Sequence, residues 1–175
     1  MVEEINEYLN EAILHKQYVL EASKIMSSYL IEHDKYDLAI ELIKRCSVHD
    51  NSKFSKEEME SLIRIEDKSD FKDPNVLLSN VKKEAIEIHW KNNSHHPEHF
   101  NNIYDMSDLD LMEMACDCFA RSLQYNTDFL DFINKRQENR FKFPKEVFYK
   151  YYNFCEILNN GYYKNNDKIK IKTIL

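Results

Sequence analysis

Apolar residues recur every three or four positions through most of this chain, and nowhere does a strict alternation run between hairpin-type turns, so the pattern predicts an all-α domain of about six or seven helices. The first helix is predicted from about Val2 to Ile31, with Ile5, Leu9, Ala12, Val19, Ala22 and Met26 along one side; His15 falls on that line and should face the core. A second, from about Tyr36 to Val48, carries Leu38, Ala39, Leu42, Ile43 and Cys46 and runs into His49-Asp50, where the chain can leave the helix and both side chains can converge. Ser55 and Glu58 have capping-box spacing and open a helix to about Ile65, with Lys53 in the joint before it.

Beyond a polar connector, EDKSDFKDP, Pro74 suits the first turn of a helix that ends near Trp90 and carries His89 at its end. The stretch KNNSHHPEHFNN reads as an ordered polar loop. Ser107 and Asp110 then start a helix with the stripe Leu109, Met112, Cys116, Phe119 and Leu123, which Asp117 flanks. Two more helices are predicted, near Asn126 to Asn139 and from Pro144 to about Asn160, the latter closed by Gly161 as a left-handed cap. The tail YYKNNDKIKIKTIL alternates Ile with Lys, as an extended edge or a disordered segment would. Without repeats or a flexible linker, residues 1–175 read as one domain, with a ligand-bearing core over 5–125 and C-terminal helices and tail over 126–175.

Composition narrows the function. The net charge of −7 argues against an extended surface for DNA or RNA, which would need many Lys and Arg to neutralise phosphates, and favours a small substrate. Gly161 is the only glycine, which excludes a P-loop, a dinucleotide-binding fingerprint and a nucleophile elbow. The acidic start, MVEEINEYLN, lacks the basic-then-apolar order of a secretory signal and no stretch is apolar enough for a bilayer, so a cytoplasmic protein without a membrane partner is expected. Cys46, Cys116, Cys118 and Cys155 are then reduced packing residues. Phe148, Tyr151, Tyr152 and Phe154 are likewise packing residues, since no basic stripe accompanies them.

The chemistry lies in an ordered set: His15, His49-Asp50, His89, His95-His96 and Asp117. Imidazole nitrogens and carboxylate oxygens in this number are what one or two divalent cations need to replace their hydration shells, so a metal enzyme is expected. Asp117, near the middle of an amphipathic helix, is costly to bury without a cation; Arg121, one turn on, offers a salt bridge instead. His15 by itself would suit a hydrogen-bonded core position, and its weight comes from the rest of the set. His33, in the charged loop IEHDK, is taken as solvated.

In this context HDNSKFS at a helix end resembles the HD superfamily of metal-dependent phosphohydrolases, whose ligands run His, His-Asp, then a distant Asp; here those positions match His15, His49, Asp50 and Asp117. His89 and His95-His96 match the additional histidines by which some HD proteins recruit a second metal, and Lys53 matches the lysine of the HDxxK variant. The resemblance spans residues 15 to 117, and HDNSKFSKEEM, HWKNNSHHPEHF and EMACDCFARS together look like a small uncharacterised HD-like family. The chain reads PEHF where the HD-GYP branch has its Gly-Tyr-Pro signature, so cyclic-di-GMP specificity is not carried over.

The resemblance implies one or two divalent ions (Mn, Fe, Mg, Co or Zn), the first on His15, His49, Asp50 and Asp117, the second on His89 and His96 with Asp50 bridging. Such ions lower the pKa of bound water and so would promote hydrolysis of a nucleotide or other small phosphoester, with Asp50 and Lys53 as the catalytic residues and Lys53 a point charge for the phosphoryl group. Lys91 and Arg121 are weaker candidates for substrate contacts, and His95 and His99 are expected behind the ligands or facing solvent. The same ligand set would also serve an HD-type di-iron oxygenase, and a noncatalytic metal- or nucleotide-binding protein is the third alternative.

Overall fold

The structure is a computed structural model that describes residues 2–63 and 80–174. Among these residues the fold is all-α, with seven α-helices: α1 (Val2–Glu32), α2 (Tyr36–Ser47), α3 (Lys56–Ile63), α4 (Asn80–Asn92), α5 (Asp108–Tyr125), α6 (Phe129–Arg136) and α7 (Lys145–Ile174). No described helix is long and apolar enough to cross a membrane.

Helix α5 is the centre of the bundle because its apolar stripe is broad enough to face several neighbours at once. Leu111, Met112, Met114, Ala115, Cys116, Phe119 and Ala120 are all buried, and α5 packs against α1, α2, α6 and α7. From α1, Val19, Ala22, Met26 and Leu30 complete the core, and from α2, Ala39, Leu42 and Cys46. All four cysteines are free and buried, as expected of packing residues. Helices α3 and α4 pack on each other at the end of the bundle where α2 stops.

Local chemistry sets the helix ends. Ser107 and Asp110 form a complete capping box at the start of α5, and Asn126 ends that helix in the left-handed conformation. Asp128 caps α6, which ends in a single π turn over Gln137–Phe141. The connector EDKSDFKDP, the helix start at Pro74 and the last predicted residues of α3 lie outside the described residues.

Two expectations fail in the C-terminal third. Gly161 does not cap a helix, because α7 continues through it to Ile174, so the tail is neither an extended edge nor irregular over that span. The glycine instead permits close approach between helices: a Cβ added there would collide with the Ile25 side chain of α1. A lone glycine within a helical pattern signals a cap or a packing contact, and here packing decides.

Candidate metal centre

The centre forms where α2 stops. Asp50 takes a left-handed backbone, φ 54° and ψ 23°, before a 3-10 turn over Asn51–Phe54. An aspartate tolerates this conformation better than most residues, yet it still costs about 1 kcal/mol or more, and such strain persists where the surroundings require it. The turn aims His49 and Asp50 into the same interior space, and both are buried. His15 from α1, His89 from α4, His95 and His96 from the following loop and Asp117 from α5 meet them there, so the structure brings together every residue expected to hold metal.

The donor atoms fall into three overlapping sets, each with all its atoms within 4.8 Å: Asp50, His89, His95 and His96; His15, His49 and Asp50; and His49, His95 and Asp117. The four-residue set expected for a first metal is thus split, with Asp117 grouping with His49 and His95. Asp50 belongs to two sets, as a bridging carboxylate would. His15 Nε2 lies 2.8 Å from Asp117 Oδ1, His49 Nε2 3.4 Å from Asp50 Oδ2, His95 Nε2 3.4 Å from Asp50 Oδ1, and His89 Nε2 2.9 Å from His96 Nε2. Ligands at about 2.0–2.2 Å from one ion stand roughly 3–3.5 Å from each other, so the two 3.4 Å contacts have the spacing of donors that share an ion, while the 2.8 and 2.9 Å contacts are hydrogen bonds.

The fit to a cation is tested by what the buried atoms lack. His49 Nε2, His95 Nε2 and Asp50 Oδ1 are fully buried and have no hydrogen-bond partner. An unpaired buried polar atom costs about 1–3 kcal/mol, and here three point into the same space. Cation binding removes that penalty at all three.

Four of the five imidazoles are held from behind. His15 Nδ1 is 3.0 Å from Gln124 Oε1, and His49 Nδ1 and His95 Nδ1 both face Glu113 Oε1, at 3.0 and 3.4 Å. His89 Nδ1 is hydrogen-bonded to Glu58 Oε1, so Ser55 and Glu58 make only half of the expected box: Ser55 accepts from the Glu58 amide while the Glu58 carboxylate turns inward. A nitrogen held in this way fixes the tautomer and directs the Nε2 lone pair inward, as metal-ligating histidines require. Arg45 anchors Glu113 in turn, its Nε and Nη2 donating to Glu113 Oε2 at 2.9 and 2.7 Å while Nη2 also reaches Asp110 and Ser94.

Burial favours the neutral form of His15, His89 and His96, while Asp50 and Asp117 are held ionised. Burial, then the Arg121 charge, lowers His15 to about 3 against the pull of Asp117. Burial also lowers His89 and His96, the latter further through the neighbouring His95 and His89. Burial opposes ionising Asp50 and Asp117, but the surrounding histidines, and Lys53 for Asp50, hold both carboxyls well below the usual range. His95 is the exception: burial opposes its charge, but Glu113 and Asp50 raise it.

Several placements differ from expectation. His95 is neither solvent-facing nor behind the ligands: it is 2% exposed and belongs to two of the three donor sets. Glu58 and Glu113 were not anticipated as site residues; an acidic residue on the buried face of a helix was the available signal, since Glu113 lies one turn before Asp117. Lys53 is within the centre, its Nζ 2.6 Å from Asp50 Oδ2. Arg121 forms no ion pair with Asp117 among the described residues and donates to the Tyr125 hydroxyl at 3.5 Å. Lys91, His99 and His33 are exposed. A groove lined by Tyr18, Ile25, Ser28, Leu123 and Tyr162 contains none of the donors.

Residues 4–160 match a family profile described as a family of unknown function, DUF5662. No curated protein and no solved structure matches the chain.

Proposed function

This chain belongs to the DUF5662 family, and we propose that it is a metal-dependent phosphohydrolase of HD type acting on a nucleotide or other small phosphoester. The observation that carries this reading is the convergence of His49 Nε2, His95 Nε2 and Asp50 Oδ1, buried and unpaired, on one space. The order His15, His49-Asp50, Asp117 along the chain adds its resemblance to the HD pattern.

In this reading His15, His49 and Asp50, with Asp117 beside His15, hold a first divalent ion, and Asp50, His89, His95 and His96 a second. When bound, divalent ions supply Lewis acidity toward water and the phosphoryl oxygens. Gln124, Glu113 and Glu58 keep the imidazoles aimed. Lys53 exchanges its contact with Asp50 for one to the phosphoryl group, where it stabilises charge that builds as water displaces the leaving oxygen. The cluster's burial keeps bulk water from screening these charges.

Substituting His49→Ala or Asp50→Ala should remove most bound metal and nearly all turnover of generic phosphoesters with Mn²⁺ or Mg²⁺. Metal is measured by elemental analysis and folding by circular dichroism. Full metal content in both folded variants would sink the assignment. An iron-loaded protein that consumes O₂ and leaves phosphoesters intact would transfer the same centre to oxygenase chemistry.

A further inference from the structure

Three arginines stand on or against the segments that carry the donors. Arg121 lies one turn after Asp117 on α5 and therefore on the same face. Arg136 stands in the last turn of α6, and Arg140 follows it by four residues within the π turn. Arg140 is clamped: Nε and Nη2 donate to Glu98 at 2.8 and 3.0 Å, and its guanidinium lies over Trp90 and Phe141 at 5.3 and 5.6 Å. Trp90 directly follows His89 and Glu98 comes two residues after His96, so the clamp ties Arg140 to both segments that carry these histidines.

Arg136 is not clamped in this way. It is partly buried, packs over Phe132 at 5.0 Å and pairs with no carboxylate among the described residues. Burial, followed by the Arg140 charge and to a lesser degree that of Arg121, lowers it from the usual guanidinium range. Burial opposes the charge on Arg121 and Arg140 too, but Asp117 acts on the first and Glu98 with Asp117 on the second to raise them. The Asp117 charge thus acts on Arg121 and Arg140 and, more weakly, on Arg136, which stands one turn before Arg140. Gathering like charges at a partly desolvated site is unfavourable unless an anion occupies it.

The charge balance points the same way. In the centre and behind it Asp110 and Glu113 pair with Arg45 and Asp50 with Lys53, while Glu58 and Asp117 face His89 and His15. Two divalent ions would more than offset the remainder, and the three arginines, with only Arg140 tied to a carboxylate among the described residues, then add a surplus of positive charge.

We propose that Arg121, Arg136 and Arg140 form an anion subsite, beside the metal centre, for the phosphate end of a small molecule carrying two or more negative charges. Guanidinium groups suit this role because their planar forks match phosphate oxygens. The inference rests on the reading of the cluster as a metal centre for phosphoester chemistry, and it assigns the residues that would select such substrates.

The test is binding of inorganic phosphate to the full chain, with and without Mn²⁺, followed by calorimetry. Arg136→Gln is the informative variant because no ion pair is broken by it. Saturable binding by the wild type, weakened about tenfold or more in Arg136→Gln with metal content and circular dichroism unchanged and partly restored in Arg136→Lys, is the expected result. If Mn²⁺ is taken up and phosphate binds Arg136→Gln as well as wild type, or does not bind at all, the subsite is overturned while the metal centre stands. If no Mn²⁺ is taken up but phosphate binding still depends on Arg136, the subsite stands and the metal-dependent reading falls.

Discussion

Glu113 holds two imidazoles with one carboxylate. Its Oε1 faces the Nδ1 atoms of His49 and His95, and its Oε2 takes Arg45. Burial raises this carboxyl, but hydrogen bonds from His49 and His95 outweigh it and keep the group far below its usual range. Glu113→Gln keeps the side-chain volume while removing the charge that orients both rings. The variant should bind metal about 10- to 100-fold more weakly, the scale for losing a partner behind a ligand, with its helical signal intact. Competition against a chelator of known affinity measures this, and unchanged affinity would remove Glu113 from the centre. Asp110 still pairs with Arg45 in the variant, so no cation is left stranded.

At the scale of elements, the contact of α7 with α1 depends on Gly161. In a helix interior alanine is favoured over glycine by about 1 kcal/mol, whereas overpacking a filled contact costs about 1–3 kcal/mol. The Ile25 methyl that meets the added Cβ is on a β-branched carbon whose rotamers in a helix are few, so the clash should win. Gly161→Ala is expected to lower the melting temperature by a few degrees, since about 1 kcal/mol corresponds to roughly 2–4 °C in a domain of this size. Pairing it with Ile25→Ala should recover part of the loss. A more stable single variant would mean that Ile25 rotates aside.

For the whole molecule, the centre joins α1, the end of α2, α4, its following loop and α5, so bound metal should tie the bundle together. Removing metal from the loaded protein should lower its melting temperature, because a ligand present at a thousand times its dissociation constant stabilises the native state by about 4 kcal/mol. The wild type should bind two ions at saturation. Replacing both His89 and His96 by Ala should lower this toward one, since His15, His49, Asp50, His95 and Asp117 remain. A folded wild type that takes only one ion would recast His89 and His96 as substrate contacts.

The helical period determined the class and most helix boundaries, because a stripe recurring every three to four residues has one stable burial solution, packing against other helices. Residue type and order, with the resemblance to the HD pattern, pointed to His15, His49, Asp50, His89 and Asp117 as one group, since imidazoles and carboxylates on apolar faces are costly without a partner. Ambiguity began where position in space decides. His95 and His96 are adjacent in an irregular loop, where no periodicity says which way a side chain points, and only the fold turns both inward. Glu58 and Glu113 each had an ordinary local reading, a capping residue and a helical acid, until α4 and α2 brought His89, His49 and Arg45 against them. Gly161 reads as a cap where the fold makes it a close helix contact, and nothing in the sequence sets Arg136 and Arg140 apart from other charged residues. Tertiary structure settled these because the partners are far apart in the chain, and the energy of a buried charge depends on what the fold places beside it.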